Sequence, residues 1–92
     1  MQLTILGTGD AFGSGGRFNT CLHLQAGGET VMIDCGGSSP LALHRSGLDR
    51  NAISTWLFTH FHGDHFAGLP FLFLDAFFVT RRRTPLLIAG PK

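Results

Sequence analysis

The chain has 92 residues, with seven basic and six acidic side chains and a formal net charge of +1 at neutral pH. A charge this close to zero gives no general field for capturing a polyanion. A chain of this length buries only roughly 60 to 65% of its unfolded surface, so its core is thin. Nine phenylalanines and one tryptophan are more than such a core needs, which predicts that part of the apolar surface is covered by something else.

Cysteine content and the N-terminus favour an intracellular setting. Cys21 and Cys35 are too few for a disulfide scaffold. No signal peptide precedes the first strand pattern. These features predict reduced thiols and a cytoplasmic location.

The first strand is predicted at Gln2–Leu6 and is followed by a glycine-rich loop, Gly7–Thr20. The glycines after the strand suggest dinucleotide binding, but Ser14–Gly16 continues the loop where that fingerprint requires a helix. We therefore interpret the segment as a rim loop.

The next segment has the pattern of a β-hairpin. Cys21–Ala26 alternates, with Leu22 and Leu24 on one face, and Gly27–Gly28 offers a tight turn into Thr30–Asp34. Two strands packed side by side are therefore expected here.

Helices and strands alternate in the rest of the chain. Ser38 or Ser39 can cap a helix that has Pro40 in its first turn and ends near Gly47. The further predicted elements are a strand at Ile53–Thr59, a helix from Pro70 to about Thr80 and a strand at Pro85–Ala89. This order predicts an α/β layered fold.

Two features around the last predicted helix concern surfaces. Phe71–Val79 is apolar nearly all round, so we expect it to be covered by a missing second half or by self-association. It falls well short of the roughly 20 residues that span a bilayer, so no membrane partner is expected. Arg81–Arg83 could bind phosphates of a nucleic acid. We favour the alternative that these cations offset the negative C-terminal end of the helix dipole.

The segment His60-Phe61-His62-Gly63-Asp64-His65 has the composition of a metal site. Imidazole nitrogen and carboxylate oxygen suit zinc and related divalent ions. In an extended segment His60 and His62 point to the same side, and Gly63 allows a sharp turn that brings Asp64 and His65 into the same cavity. Four donors are thus predicted around one space. Other candidate ligands, His23, His44 and Cys35, are less favoured.

This motif resembles the signature of the metallo-β-lactamase superfamily, whose fold is a four-layer αββα sandwich with a mono- or dinuclear metal site. Leu3–Gly9, Met32–Gly36 and Gly68–Pro70 are similar to its ribonuclease Z-like branch. The resemblance implies that residues 1–92 form the N-terminal αβ half of one such domain, because the branch has further ligands downstream, in a second αβ half.

The resemblance also implies a role for each motif residue. His60 and His62 would bind a first metal, Asp64 and His65 a second, and Asp34 would brace the motif loop. The expected cofactor is zinc, with two ions, although manganese or iron also suits this ligand set.

The expected chemistry is hydrolysis by a metal-activated hydroxide, with Asp64 orienting the hydroxide or carrying its proton. A ribonuclease Z-like phosphodiesterase, acting on a small-molecule or nucleic-acid phosphodiester, is the favoured complete form. The ligand set does not select the substrate, so a hydrolase of lactones, thioesters or sulfate esters stays open, as does a truncated, non-catalytic half-domain.

Overall fold

The computed structural model describes all residues from Met1 to Lys92, and its strands form one five-stranded sheet in chain order. The strands are β1 (Gln2–Gly7), β2 (Cys21–Ala26), β3 (Glu29–Ile33), β4 (Thr55–Leu57) and β5 (Leu87–Ala89). The helices are α1 (Ser39–Ser46), α2 (Gly63–Phe66) and α3 (Leu69–Phe78), and 3-10 turns lie at Ser14–Gly16 and Arg50–Ala52. The predicted α/β layering is confirmed.

The sheet changes from antiparallel to parallel at β3. β1, β2 and β3 pair antiparallel, whereas β3, β4 and β5 pair parallel. Parallel neighbours need a crossover connection, which α1 supplies between β3 and β4, and α2 with α3 between β4 and β5. The carboxyl ends of β3 and β4 consequently meet at one edge of the sheet.

The predicted turns form where glycine permits them. Gly27 and Gly28 both have positive φ, 58° and 80°, as a two-residue hairpin turn requires. Gly47 ends α1 with a φ of 74°. The predicted serine cap of α1 is wrong, because Ser38 stands at the cap position without capping. Its hydroxyl donates instead to Oδ1 of Asn19, at 2.9 Å.

The core lies on one side of the sheet, which we call the closed face. Met32 of β3 and Trp56 of β4 are register partners there. Leu43 of α1 and Leu72 of α3 pack in the same cluster. The other buried members are Cys21, Cys35, Ile53, Phe58 and Leu69. His23 also faces this side and its Nδ1 has no hydrogen-bond partner.

The opposite side of the sheet, which we call the open face, is apolar and carries no helix. Its ladder follows the pairing register across all five strands and consists of Ile5, Leu22, Ile33, Leu57 and Ala89. Ile5 is 58% exposed. Leu22 and Leu24, predicted to share a face, thus lie on the side away from the core.

Helix α3 has a second exposed apolar surface. Only Leu69 and Leu72 of this helix are buried, whereas Phe71, Phe77 and Phe78 are exposed. The apolar segment is therefore buried on one side only. What covers it stays a prediction. No helix of the structure combines the length and apolarity needed to cross a membrane.

The arginine run after α3 differs from expectation. The Arg82 guanidinium donates to five backbone carbonyls, those of Arg50, Asn51, Ile53, Thr84 and Pro85. A planar group with five donors suits such a cluster. The predicted role at the helix end is thus wrong for Arg82, which joins the turn before β4 to the segment before β5.

Candidate metal centre

The motif loop follows β4 and lies beside the loop that follows β3. Asp34 is the first residue after β3, and its φ of 63° is a conformation that aspartate tolerates better than most residues. Trp56, in the core, donates from its indole nitrogen to the backbone oxygen of Asp34 at 3.1 Å. The core thereby holds the position of this carboxylate.

The Asp34 carboxylate joins the two loops. Its side chain is only 2% exposed and accepts three hydrogen bonds, each 2.7 Å long. The donors are the backbone N–H of Thr59, the hydroxyl of Thr59 and Nδ1 of His65. The contact by which Asp34 was expected to brace the motif loop is therefore present.

The pKa of the Asp34 carboxyl lies below its ordinary value. Burial acts in the opposite direction and is the largest single influence on this pKa. The hydrogen bonds from Thr59 and His65, together with the charge of His65, outweigh it. Asp34 is consequently an anion at neutral pH.

Backbone contacts fasten the same two loops together. The N–H of Cys35 donates to the carbonyl of His65 at 2.8 Å, and the N–H of Gly68 donates to the carbonyl of Cys35 at 3.0 Å. A Cβ on Gly36 would overlap the carbonyl oxygen of Asp64. The close approach of the loops therefore requires glycine at position 36.

The structure places pairs of the four predicted ligands in contact with each other. The ring centroid of His60 lies 4.7 Å from that of His62 and 4.1 Å from that of His65. An oxygen of Asp64 lies 3.2 Å from Nε2 of His65. The other histidines are elsewhere. His23 is in the core, and His44 is on α1 with its ring 3.4 Å from the Arg50 guanidinium.

These side chains fit a divalent ion in donor chemistry and in the spacing of one pair. Because Nδ1 of His65 bonds to Asp34, its Nε2 is the nitrogen that faces Asp64. Two ligands of one tetrahedral ion, each roughly 2.0 to 2.2 Å from it, lie about 3.4 Å apart, close to the observed spacing. No three His, Cys, Asp or Glu side chains are placed to hold an ion together, however.

Both thiols are unsuited to the site. Cys21 and Cys35 are free and fully buried. Burial raises the pKa of the Cys21 thiol to about 12. Burial, with Cys21 and Asp34 nearby, also raises the pKa of the Cys35 thiol well above its usual range. Since metals bind the thiolate, we interpret Cys35 as a core residue.

A groove of about 500 Å³ opens beside the motif loop and is lined by residues that include Ala11, Asn19, Gly37, His62 and Asp64. Asn19 accepts a hydrogen bond from the backbone N–H of Ser38 at 3.0 Å and donates to the carbonyl of Asp10 at 2.9 Å. It thereby joins the rim loop to the start of α1. The sequence interpretation missed both Asn19 and Thr59. Only Thr59 had a signal, its position directly before the motif.

Sequence relatives carry two different names. Ribonuclease Z from Lachnospira eligens is 37% identical over 92 residues, which cover 100% of this chain and 30% of the relative. Anti-Pycsar protein Apyc1 from Paenibacillus sp. (strain J14) is 44% identical over 89 residues, which cover 97% of this chain and 36% of the relative. The chain thus spans about a third of the length of these relatives.

Solved structures agree on the fold. Human tRNase Z, short form, has a TM-score of 0.83 and 37% identity, covering 99% of this chain and 34% of that chain. The metallo-β-lactamase fold protein YhfI from Bacillus subtilis has a TM-score of 0.70 at 15% identity, covering 97% of this chain and 45% of that chain. The inferred superfamily and the resemblance to ribonuclease Z are both confirmed.

A model of a protein family, described as Anti-Pycsar protein Apyc1, matches residues 1–91. The match covers the rim loop, the motif and every strand of the sheet. The chain therefore belongs to the Anti-Pycsar protein Apyc1 family, within the metallo-β-lactamase superfamily.

Proposed function

We propose that the protein, in its complete form, is a metal-dependent hydrolase that acts on phosphodiesters. His60, His62, Asp64 and His65 are its metal ligands in this chain, and Asp64 is also a catalytic residue. The expected cofactor is zinc, with two ions, although manganese or iron suits the same donors. The free thiols are consistent with a cytoplasmic protein.

The contact between Asp64 and His65 carries this proposal. His65 donates from Nδ1 to the buried Asp34, so its Nε2 faces the Asp64 oxygen at 3.2 Å. When His65 is neutral, the lone pair on its Nε2 and the carboxylate oxygen of Asp64 repel each other at this distance unless a cation lies between them. A divalent ion shared by Asp64 and His65 removes that repulsion.

The chain's own residues divide the work of such a site. A bound ion would polarise the substrate oxygen and lower the pKa of a water towards neutrality. Asp34 and Thr59 hold the motif loop, and His62 is exposed where the groove opens. Asp64 would orient the attacking water or take its proton.

The choice of a phosphodiester depends on the relatives. Ribonuclease Z names a protein that cleaves RNA, and at least 30% identity to such proteins extends over the whole of this chain. The groove beside His62 is open and partly polar, as an extended substrate requires.

We further propose that residues 1–92 are one part of a larger αββα domain. The open face is the support for this, because its apolar ladder crosses all five strands without a covering layer. A second sheet packed at about 10 Å would cover such a face. The relatives are about three times as long as this chain.

A second candidate, a non-catalytic half-domain, is favoured by one observation. No three potential donors of this chain are placed to hold an ion. A site that needs ligands from outside these residues would bind metal weakly in the chain alone.

The test is zinc binding by the purified protein, measured by metal analysis and calorimetry, with His62→Ala and His44→Ala compared. His44 is a matched control, because it is an exposed histidine beside Arg50 and away from the motif. We expect the protein to bind zinc stoichiometrically. His62→Ala should lower the zinc affinity at least tenfold, and His44→Ala should leave it unchanged.

Hydrolysis of bis(p-nitrophenyl) phosphate and of a short RNA by the zinc-loaded protein then tests the reaction. The proposed phosphodiesterase activity is supported if the wild type cleaves either substrate and His62→Ala abolishes that cleavage. Absence of zinc binding in a folded, soluble chain would contradict a metal site completed within residues 1–92 and would favour the half-domain.

A further inference from the structure

Thr59 occupies a position between the buried carboxylate and the first motif histidine. Its hydroxyl oxygen lies 2.7 Å from Oδ2 of Asp34 and 2.9 Å from Nδ1 of His60. Its backbone N–H also donates to Oδ1 of Asp34 at 2.7 Å. Two hydrogen bonds to one carboxylate therefore fix this hydroxyl, and the ring of His60 is its other neighbour.

Counting protons gives the direction of each bond. An ionised carboxylate only accepts hydrogen bonds, whereas a hydroxyl has one proton to donate. The Asp34 carboxylate already accepts from His65 Nδ1 and from the Thr59 backbone, so the hydroxyl proton of Thr59 also points to it. The side of the oxygen that faces His60 then carries a lone pair, and the 2.9 Å contact is a hydrogen bond only if Nδ1 of His60 carries the proton.

We propose that Thr59 is a positioning residue that holds His60 in the tautomer protonated at Nδ1. In that tautomer the lone pair is on Nε2. The buried Asp34 carboxylate thus determines the tautomers of two histidines. It acts on His65 by direct contact and on His60 through the Thr59 hydroxyl. The metal-related consequence, that Nε2 of His60 is prepared as a ligand, rests on the proposed function above.

His62 provides the contrast within the same motif. Its ring is exposed and has no carboxylate or hydroxyl partner of this kind. The geometry therefore predicts two histidines with one fixed tautomer each and one histidine that populates both tautomers.

The test is the protonation of each imidazole nitrogen in the metal-free protein, read from nitrogen-15 NMR spectra at about pH 8, above the ordinary histidine pKa of roughly 6.5. We expect His60 and His65 to be protonated at Nδ1. Thr59→Val keeps the shape of the side chain without the hydroxyl, and it should give His60 a mixture of tautomers while His65 is unchanged. Thr59→Ser should restore the wild-type pattern of His60.

Zinc affinity is the second readout. Partners of metal-binding histidines typically change affinity by 10- to 100-fold, so Thr59→Val should weaken zinc binding by about tenfold and Thr59→Ser much less. Equal affinities of wild type and Thr59→Val would overturn the metal-related half of the proposal.

Protonation of His60 at Nε2 in the wild type, or an unchanged His60 in a folded Thr59→Val variant, would overturn the tautomer assignment. The wild-type spectrum decides the tautomer of His60 even where Thr59→Val does not fold. If the tautomers are as expected and the wild type binds no zinc, the tautomer assignment stands and a metal site completed within residues 1–92 is contradicted.

Discussion

The closed and open faces of the sheet are both apolar, yet only the closed face is covered by the chain. Neighbouring residues of β3 show the contrast, because Met32 is fully buried on the closed face and Ile33 is only half-buried on the open face. The helices α1 and α3 place their buried leucines against the closed face.

The candidate metal centre belongs to the closed side. Asp34 is held there by Trp56 of the core and in turn holds Thr59 and His65. The brace of the motif loop is therefore complete within these 92 residues, whereas the covering of the open face is not. Substitutions on the closed side should accordingly disturb both stability and the site, and those on the open face should change association.

The largest effect is expected for Asp34→Ala. Removal of the carboxylate leaves three donors of Thr59 and His65 without their acceptor. Each buried donor left unpaired costs about 1 to 3 kcal/mol, less where water reaches it. A loss of about 3 kcal/mol in the free energy of unfolding is expected, measured by urea denaturation. A loss below about 1 kcal/mol would show that the motif loop is held by other contacts.

The stabilising effect of Asp34 should depend on pH in one direction. Because the pKa of Asp34 is lower in the folded state, its contribution is fully present above the unfolded value of about 3.9 and is lost as the pH falls through the folded pKa. The difference in stability between wild type and Asp34→Ala should therefore begin to shrink as the pH falls below about 4. A difference that stayed constant down to pH 2 would contradict this assignment.

The next effect compares adjacent residues of β3. Met32→Ala removes a fully buried side chain and should cost about 3 kcal/mol, within the usual range of 2 to 5. Ile33→Ala, on the open face, should cost about 1 kcal/mol, since Ile33 is only half-buried. Urea denaturation of both variants decides this. Equal losses would mean that something covers the open face in the purified protein.

A smaller, local effect is expected at the contact between the loops. A Cβ at Gly36 would overlap the backbone of Asp64, whereas a Cβ at Gly37 would meet no atom within 4 Å. Gly36→Ala should cost about 1 to 3 kcal/mol through forced displacement and weaken zinc binding. Gly37→Ala should leave both properties nearly unchanged. If both variants behave alike, the close approach of the loops is not needed for the site.

Much of this arrangement could be predicted from local sequence. Gly27–Gly28 indicated the hairpin, Gly47 indicated the end of α1, and the spacing from His60 to His65 indicated that these two side chains lie close together. These features depend on residues that are close in the chain. The backbone preferences and side-chain directions of such residues are the same in most proteins, so they can be predicted.

The features that were missed depend on contacts between distant residues. Ser38 looked like a helix cap, but its partner is Asn19, 19 residues away. Arg82 looked like a charge at a helix end, yet its partners include carbonyls at positions 50 to 53. The side of the sheet that α1 and α3 cover was also not predictable from alternation, because Leu22 and Leu24 of β2 lie on the uncovered side and His23 lies on the covered one.

The smallest change in stability, and the sharpest test of the two faces, is expected for Ile5→Ser. Ile5 lies on the open face and more than half of it is exposed, so the substitution should change the free energy of unfolding by about 0.5 kcal/mol or less. It should nonetheless reduce self-association in sedimentation experiments, because it interrupts an apolar patch. A loss above about 2 kcal/mol, with association unchanged, would instead show that Ile5 is buried in the purified protein. The two faces would then be equivalent, with the second layer already in place.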